Sequence, residues 1–359
     1  MNTVGDFGRS SVEIGIVKHL MILLMGIFVI TACASQLEDR ASVPLATLWY
    51  LVYGYDPETG ECKGGGESTA WARPPERVIV PEFGYYCAGD EEYIDYALGK
   101  MKAAGISTVI LSWNGWGDTN FDGENDAIDF AAVDQTINII FQHLGDDMKA
   151  AILIEPFFLH RMNPSEVLLK DKHEMLNRVW AHYENNENKV FHWDGKPLLV
   201  TWSPGEGRWT LGDLEDDRFT FREWGVLANG ADWEMSANRG LDGMELAQDG
   251  TIWVFPRFTN TLIHEFMGLD LESIDIDVDL QDGFYDRAWE KVYRNRDSVK
   301  MVVVYGWNPW AEMSSIEPGV GGMSAYGDSL LQKTRWYYDR FQRGEIYRPF
   351  ELLNDSKSN

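Results

Sequence analysis

A chain of 359 residues with 57 acidic and 31 basic side chains carries a net charge of −26. That charge repels phosphate backbones and anionic bilayer surfaces, which argues against nucleic acid or an acidic membrane face as partner. A hydrophobic content of 45%, without low-complexity tracts or solenoid-period repeats, marks a globular chain whose length suits one large barrel. Fifteen tryptophans fit either a carbohydrate site or a large α/β core.

The chain opens on a targeting pattern. "KHLMILLMGIFVITACAS", residues 18–35, has a basic flank, an apolar stretch of signal-peptide length, and small residues before Cys33. The stretch is short for a spanning helix and ends in polar sequence. It resembles a bacterial lipobox, in which Cys33 becomes the lipidated first residue. The expected organisation is therefore a leader over 1–33, a tether over 34–46, one domain over 47–348 and a tail over 349–359. The mature protein is expected to be exported, lipid-anchored at the cell envelope (outer membrane or cell surface) and monomeric. Cys62 and Cys87 remain; they pair in an oxidising compartment or persist as two thiols, and spacing does not choose between these.

From residue 47 onward, β-like apolar runs alternate with helical periodicity, the signature of an α/β domain with a parallel sheet. Strands are expected at 47–55, 107–113, 149–157, 196–202, 251–255 and 299–307, with two more suspected at 219–225 and 241–246. Helices are expected over 90–106, 127–145, 165–184, 282–295 and 327–341. No linker divides the domain, and the pattern predicts a single (β/α)8 TIM-type barrel. In that fold strand C-termini converge on one face, so the polar and aromatic residues ending several strands would share a pocket.

Three stretches carry chemistry. "VKMVVVYGWNPWAEMSSIEPG", residues 299–319, ends an apolar strand in Trp307, Asn308, Trp310, Glu312 and Glu317. A carboxyl beside an indole is partly desolvated, which raises its pKa and suits Glu312 to general-acid work; the plainer role is a helix cap or an arginine partner. "AILIEPFFLHR", residues 151–161, ends a second apolar strand in Glu155, followed by Pro156, with Arg161 as an ion-pair candidate. "LSWNGWGDTNFDGENDAID", residues 111–129, offers Trp113, Asn114 and Trp116 for stacking on or hydrogen bonding to a sugar. Within it Asp118, Asn120, Asp122, Gly123, Glu124 and Asp129 follow calcium-loop spacing, which reads either as a structural Ca2+ site or as an acidic, turn-rich loop. Trp202 and Arg257 end further strands. There is no GxSxG, HExxH or phosphate loop, so no cofactor is expected for chemistry.

Together these stretches resemble glycoside hydrolase family 99. "PEFGYYCAGDEEYIDYALGKMKAAGISTVILSW" is similar to the family's Gly-x-Tyr-x-Ser-x-Asp motif, helix and Ser-Trp strand end. "ILIEPF" is similar to its His-x-Glu-Pro-Tyr strand. "DGFYDRAWEKV" with "VVVYGWNPWAEMSSIEPG" is similar to its Gly-x-Tyr-Tyr helix and its Asn-Glu-Trp-x-Glu-Gly-Thr-x-Ile-Glu-Pro signature. The matches keep their order over residues 47–319. The resemblance implies a (β/α)8 barrel, retaining endo-α-mannosidase or α-mannanase activity and no metal in the chemistry. It carries the general acid/base to Glu312, a substrate-binding strand acid to Glu155, and the early acid to Asp90.

The signature's first Glu, the base towards the sugar 2-hydroxyl, falls on Pro309, and Met313-Ser314 replaces the Gly-Thr pair. Proline accepts no proton. Two readings stay open: a glycosidase in which Glu155 or Asp90 supplies the second carboxyl, and a surface glycan-binding lipoprotein that does not cut.

Overall fold

The computed structural model describes residues 42–51, 53–54, 80–113, 127–154, 169–203, 216–225, 233–234, 246–256, 258–259, 277–278, 283–309, 314–321 and 326–350. The described secondary structure falls within one compact unit, Val43–Asn359. Eight strands make its main path: β1 (Leu45–Tyr50), β3 (Thr108–Trp113), β4 (Lys149–Ile154), β6 (Lys196–Ser203), β7 (Thr220–Gly225), β8 (Trp233–Glu234), β9 (Thr251–Val254) and β12 (Met301–Val304). Their spatial order is β8-β7-β6-β4-β3-β1-β12-β9. Every neighbouring pair on that path is parallel.

That order is the chain order bent round until the last strand lies beside the first, with Leu45 opposite Val302 and Thr47 opposite Val304. A contact between β8 and β9 would complete a ring, and it is not among the described residues. What stands is a curled, parallel-dominated α/β sheet. The short β5 (His192–Trp193) adds an antiparallel partner to β6. Two small antiparallel pairs lie outside the path: β2 (Val80–Pro81) with β13 (Gly319–Gly321), and β10 (Phe258–Thr259) with β11 (Asp277–Val278).

The expected strands are present; those expected over 47–55, 251–255 and 299–307 end earlier, at Tyr50, Val254 and Val304. The suspected strand near 219–225 is β7. Residues 241–245 of the other suspected strand lie outside the described residues. The helices are α1 (Glu91–Ala103), α2 (Ala127–His143), α3 (Leu169–Glu184), α4 (Phe284–Arg294) and α5 (Ser329–Gln342).

All six residues of β1 and of β3 are buried, as a parallel sheet covered on both faces requires. Two side-chain hydroxyls bond into the sheet. Thr47 Oγ1 donates to Val304 O at 3.0 Å across the β1–β12 seam. Tyr183, from α3, inserts its hydroxyl between β4 and β6, accepting from Ile152 N at 2.6 Å and donating to Leu198 O at 2.7 Å. It stands in for a rung of the ladder.

The α1 helix begins at Asp90, whose Oδ1 accepts from Glu92 N and Tyr93 N at 2.9 and 3.5 Å. Glu91 and Glu92 in its first turn and Lys100 and Lys102 in its last suit the helix dipole. Before it, the chain makes a close approach. Gly54 has φ +82°, and a Cβ there would lie 2.3 Å from Tyr86 O and 2.4 Å from Cys87 Cα. Glycine is therefore required, and Gly54→Ala is expected to cost about 3 kcal/mol or more, from left-handed strain plus overlap. Denaturant unfolding tests this, and a loss under about 1 kcal/mol would show that the 86–88 backbone yields.

Candidate functional site

The C-terminal ends of β1, β3 and β12 share one rim with the connection that follows β12. At Tyr305–Gly306 the peptide bond is cis. Residues 314–317 then return alongside 306–307: Ile316 N donates to Gly306 O at 3.1 Å and Glu317 N to Trp307 O at 2.9 Å. Ser315 Oγ adds a bond to Trp307 O at 2.7 Å. The Trp307 amide in turn donates to Leu48 O at 2.5 Å, fastening the connection to β1.

Asn308 continues the β1–β12 seam with its side chain. Tyr50 N donates to Asn308 Oδ1 at 2.8 Å, and Asn308 Nδ2 donates to Tyr50 O at 2.9 Å. The same Nδ2 reaches the Tyr86 hydroxyl at 3.1 Å, and that hydroxyl donates to Glu317 Oε2 at 2.8 Å. Tyr86 lies flat on Tyr93, with ring centroids 3.4 Å apart and planes at 11°. Tyr93 OH accepts from Trp307 Nε1 at 3.0 Å. Asn308, Glu317, Trp307 and Tyr93 are all 0% exposed and Tyr86 is 2%, so this is a closed polar node beneath the rim.

Burial pushes the Glu317 carboxyl well above the usual carboxylate range, against the two tyrosine hydroxyls, which favour its ionised form. Its second oxygen, Oε1, makes no hydrogen bond among the described residues, and neither does the buried Ser314 Oγ three residues earlier. Tyr93 is also pushed well up, by burial first and by Glu317 second. In both groups burial works against the charged form.

The residues singled out in the sequence are distributed as follows. Trp307, Asn308 and Glu317 belong to the node. Asp90 caps α1. Trp113 is fully buried, its Nε1 donating to Asp134 Oδ1 at 2.8 Å, and His182 Nε2 lies 3.2 Å from that same oxygen. Pro309 is buried, its Cγ and Cδ both 3.2 Å from where a Cβ on Gly306 would stand. Asn114, Trp116, Glu155, Arg161, Arg257, Trp310, Glu312, the calcium-loop residues 118–126 and Cys33 lie outside the described residues, as do Cys62 and the side chains of Trp202 and of Asp129, whose backbone lies in α2. Glu155 follows Ile154, which pairs with Trp113 and with Thr201 at the same rim. Among the described residues no group of acids, histidines and cysteines is placed to hold a metal.

Two features were not read from sequence. Tyr86 joins Asn308 to Glu317; its signal was its place as the tyrosine of the Gly-x-Tyr-x-Ser-x-Asp match between Gly84 and Asp90. An aromatic cluster also lies between β7, β9 and β12: Trp224 stacks on Trp253 at 5.1 Å and 8°, and Phe255 stacks on Tyr305 at 4.5 Å. Tyr305 OH lies 3.0 Å from Tyr50 OH, joining this cluster to β1.

No family model matches the chain, and no curated protein matches it. Solved structures do. A GH99 endo-α-mannosidase from Bacteroides thetaiotaomicron has a TM-score of 0.59 at 16% identity, over 84% of this chain and 98% of that one. The enzyme in complex with bis-tris-propane gives 0.56 at 17% identity, over 84% and 98%. A glycoside hydrolase-like protein gives 0.51 at 12%, over 83% and 94%. The chain has a fold similar to theirs. At these identities the likeness is one of architecture, and it extends over nearly the full length of each of those chains.

Glu317 links the node to pH. In the unfolded chain its carboxyl titrates near the ordinary 4.5, whereas the folded chain keeps the proton to higher pH. The folded state thus binds more protons above that point, and stability falls as pH rises until Glu317 ionises in the fold. Glu317→Gln should flatten this part of the dependence. Melting temperatures of parent and variant between about pH 5 and 8 should converge at the acid end and separate in the variant's favour at the alkaline end. A constant difference across that range would show that Glu317 does not hold its proton.

Proposed function

We propose that the protein is an exported glycoside hydrolase acting on a polysaccharide or oligosaccharide, endo-acting on α-mannosidic linkages, with Glu312 as general acid/base. The observation that supports this most is positional. The segment bearing Glu312 leaves the C-terminal end of β12, beside β1, on the face where barrel enzymes gather catalytic groups. The endo-α-mannosidase structures share that architecture over most of the chain. In this reading the curled sheet closes into a (β/α)8 barrel through β8 and β9.

The chemistry asks for two carboxyls. Glu312 protonates the departing glycosidic oxygen. Glu155, one residue beyond the described end of β4, assists from across the strand ends, and their separation sets the stereochemical outcome. Pro309 supplies no base at the sugar 2-hydroxyl. Its burial against Gly306 favours a second reading, a lipid-anchored protein that binds glycans without cutting them.

Export has its own support. Cys87 is disulfide-bonded, a state that persists in oxidising compartments. With Cys33 taken by lipid, Cys62 is its partner. Non-reducing peptide mapping of the envelope-fraction protein is expected to yield a Cys62–Cys87 peptide and a lipidated Cys33. A Cys33–Cys87 peptide would overturn the lipid anchor.

The deciding assay incubates residues 36–359 with α-mannans, α-glucans and other polysaccharides, alongside Glu312→Gln. Reducing ends released by the parent, and reduced about 10²–10⁴-fold in the variant, are expected for a general acid/base. Binding by both proteins without release on any substrate would establish the glycan-binding reading instead.

A further inference from the structure

The net charge argues against an anionic membrane face as partner, but that charge is not spread evenly. Just before β1, Val43 O accepts from Tyr338 OH at 2.8 Å and from Gln342 Nε2 at 2.7 Å. Both donors belong to α5, so the last turns of that helix lie at the start of β1, the end of the sheet opposite the rim. The end of α4 leads to the same place, because Met301 opens β12 beside the start of β1.

Around this corner the sign reverses. Residues 290–300 and 335–348 hold eight basic side chains against four acids, in a chain whose net charge is −26. The two stretches pack together: the Arg296 guanidinium lies 5.0 and 5.1 Å from the Tyr293 and Phe341 ring centroids and donates to Glu345 O at 2.5 Å. Glu290, Asp339 and Glu345 are each ion-paired inside the cluster. Arg343 first, with Arg340 and Arg348 adding, holds the Glu345 carboxyl below its ordinary value, which puts Arg348 in the same group. Arg294 and Arg343 leave 69% and 59% of their side chains exposed. Ile346, between Arg343 and Arg348, is 71% exposed.

We propose that this corner is a membrane-facing foot, in which Arg294, Arg343 and Arg348 take anionic lipid headgroups and Ile346 enters the headgroup layer. The proposal rests on the reading of Cys33 as lipidated. Basic side chains around an exposed apolar one have the chemistry of an interfacial contact. Ten Cα steps separate Cys33 from Val43 and span at most about 36 Å, so a lipid on Cys33 keeps this corner near the bilayer. At physiological salt charges act over about 8 Å, and the patch rather than the net charge then governs contact. The rim, at the other end of β1, faces away from the bilayer, towards polysaccharide in solution.

The test uses the full lipidated chain on vesicles of phosphatidylcholine, alone or with an equal part of phosphatidylglycerol, with brominated lipid as quencher. A polarity-sensitive dye is attached at Ile346→Cys or, as control, at Val320→Cys, an exposed position on β13. On the anionic vesicles the dye at 346 is expected to be quenched at least about twofold more than the dye at 320. Arg294→Gln, Arg343→Gln and Arg348→Gln together should remove that difference, as should about 0.5 M salt, while the anchor still floats the protein with the vesicles. These side chains are exposed, so the melting temperature should stay within about 2 °C of the parent.

Equal quenching at the two positions, or equal quenching at 346 on the two vesicle types, overturns the foot. A difference that survives both the substitutions and the salt overturns the role of the arginines. Failure to float with either vesicle refutes the lipid anchor alone. The patch is then judged on residues 36–359 at about 1 mM lipid, where co-sedimentation should be about tenfold greater with phosphatidylglycerol present, and equal co-sedimentation overturns it.

Discussion

The pairing of β1 with β12 is the constraint on which the rest depends. It brings residues more than 250 positions apart into register, Leu45 with Val302 and Thr47 with Val304. No local preference does this; it comes only when the intervening strands have been laid side by side in chain order. Once made, the seam is extended beyond its backbone ladder by side chains. Thr47 bonds across it, and Asn308 offers Tyr50 an amide that mimics one further rung. Asn308, four residues beyond β12, thus continues the sheet. A geometry built this way inherits the stiffness of the core.

That stiffness includes a buried acid, which is costly to bury charged and cheaper to bury neutral. The fold surrounds Glu317 with phenols and indoles, and no cation contributes to its titration. Burial raises its titration, and the Tyr86 hydroxyl, donating to Oε2, works the other way.

Sequence made the sheet readable because both faces of a parallel strand are buried, so each strand shows as an unbroken apolar run. Strand ends were less readable. A tryptophan at a strand terminus looks the same whether it faces solvent, sugar or core. Trp113 prompted an expectation of stacking on or hydrogen bonding to a sugar, and the structure buries it, as it buries Trp307, with the indole N–H groups bonded to Asp134 and Tyr93. Asp90, aligned with a family acid, is spent on the first turn of α1. The motif match between Gly84 and Asp90 marks Tyr86 of the two tyrosines, but its partners, Asn308 and Glu317, lie more than 220 positions away and are fixed by the fold. Charge and cysteine counts left the disulfide open, since pairing is a property of distance rather than composition.

Pro309 can be understood against this background. In the family signature this position carries a carboxylate; here it is a buried ring packed on Gly306, three residues past the cis peptide. Proline fixes φ and removes a donor, so the exchange gives up a reactive group for a stiffer backbone beside Asn308. Asn308, the residue before it, is bonded to both backbone groups of Tyr50, and the Tyr86 hydroxyl stands between Asn308 and Glu317. The chain leaving β12 is thus fixed to β1 up to Pro309, on the rim where strand ends gather. A cleaving site and a binding site on that rim would differ in whether a second carboxyl stands across the strand ends.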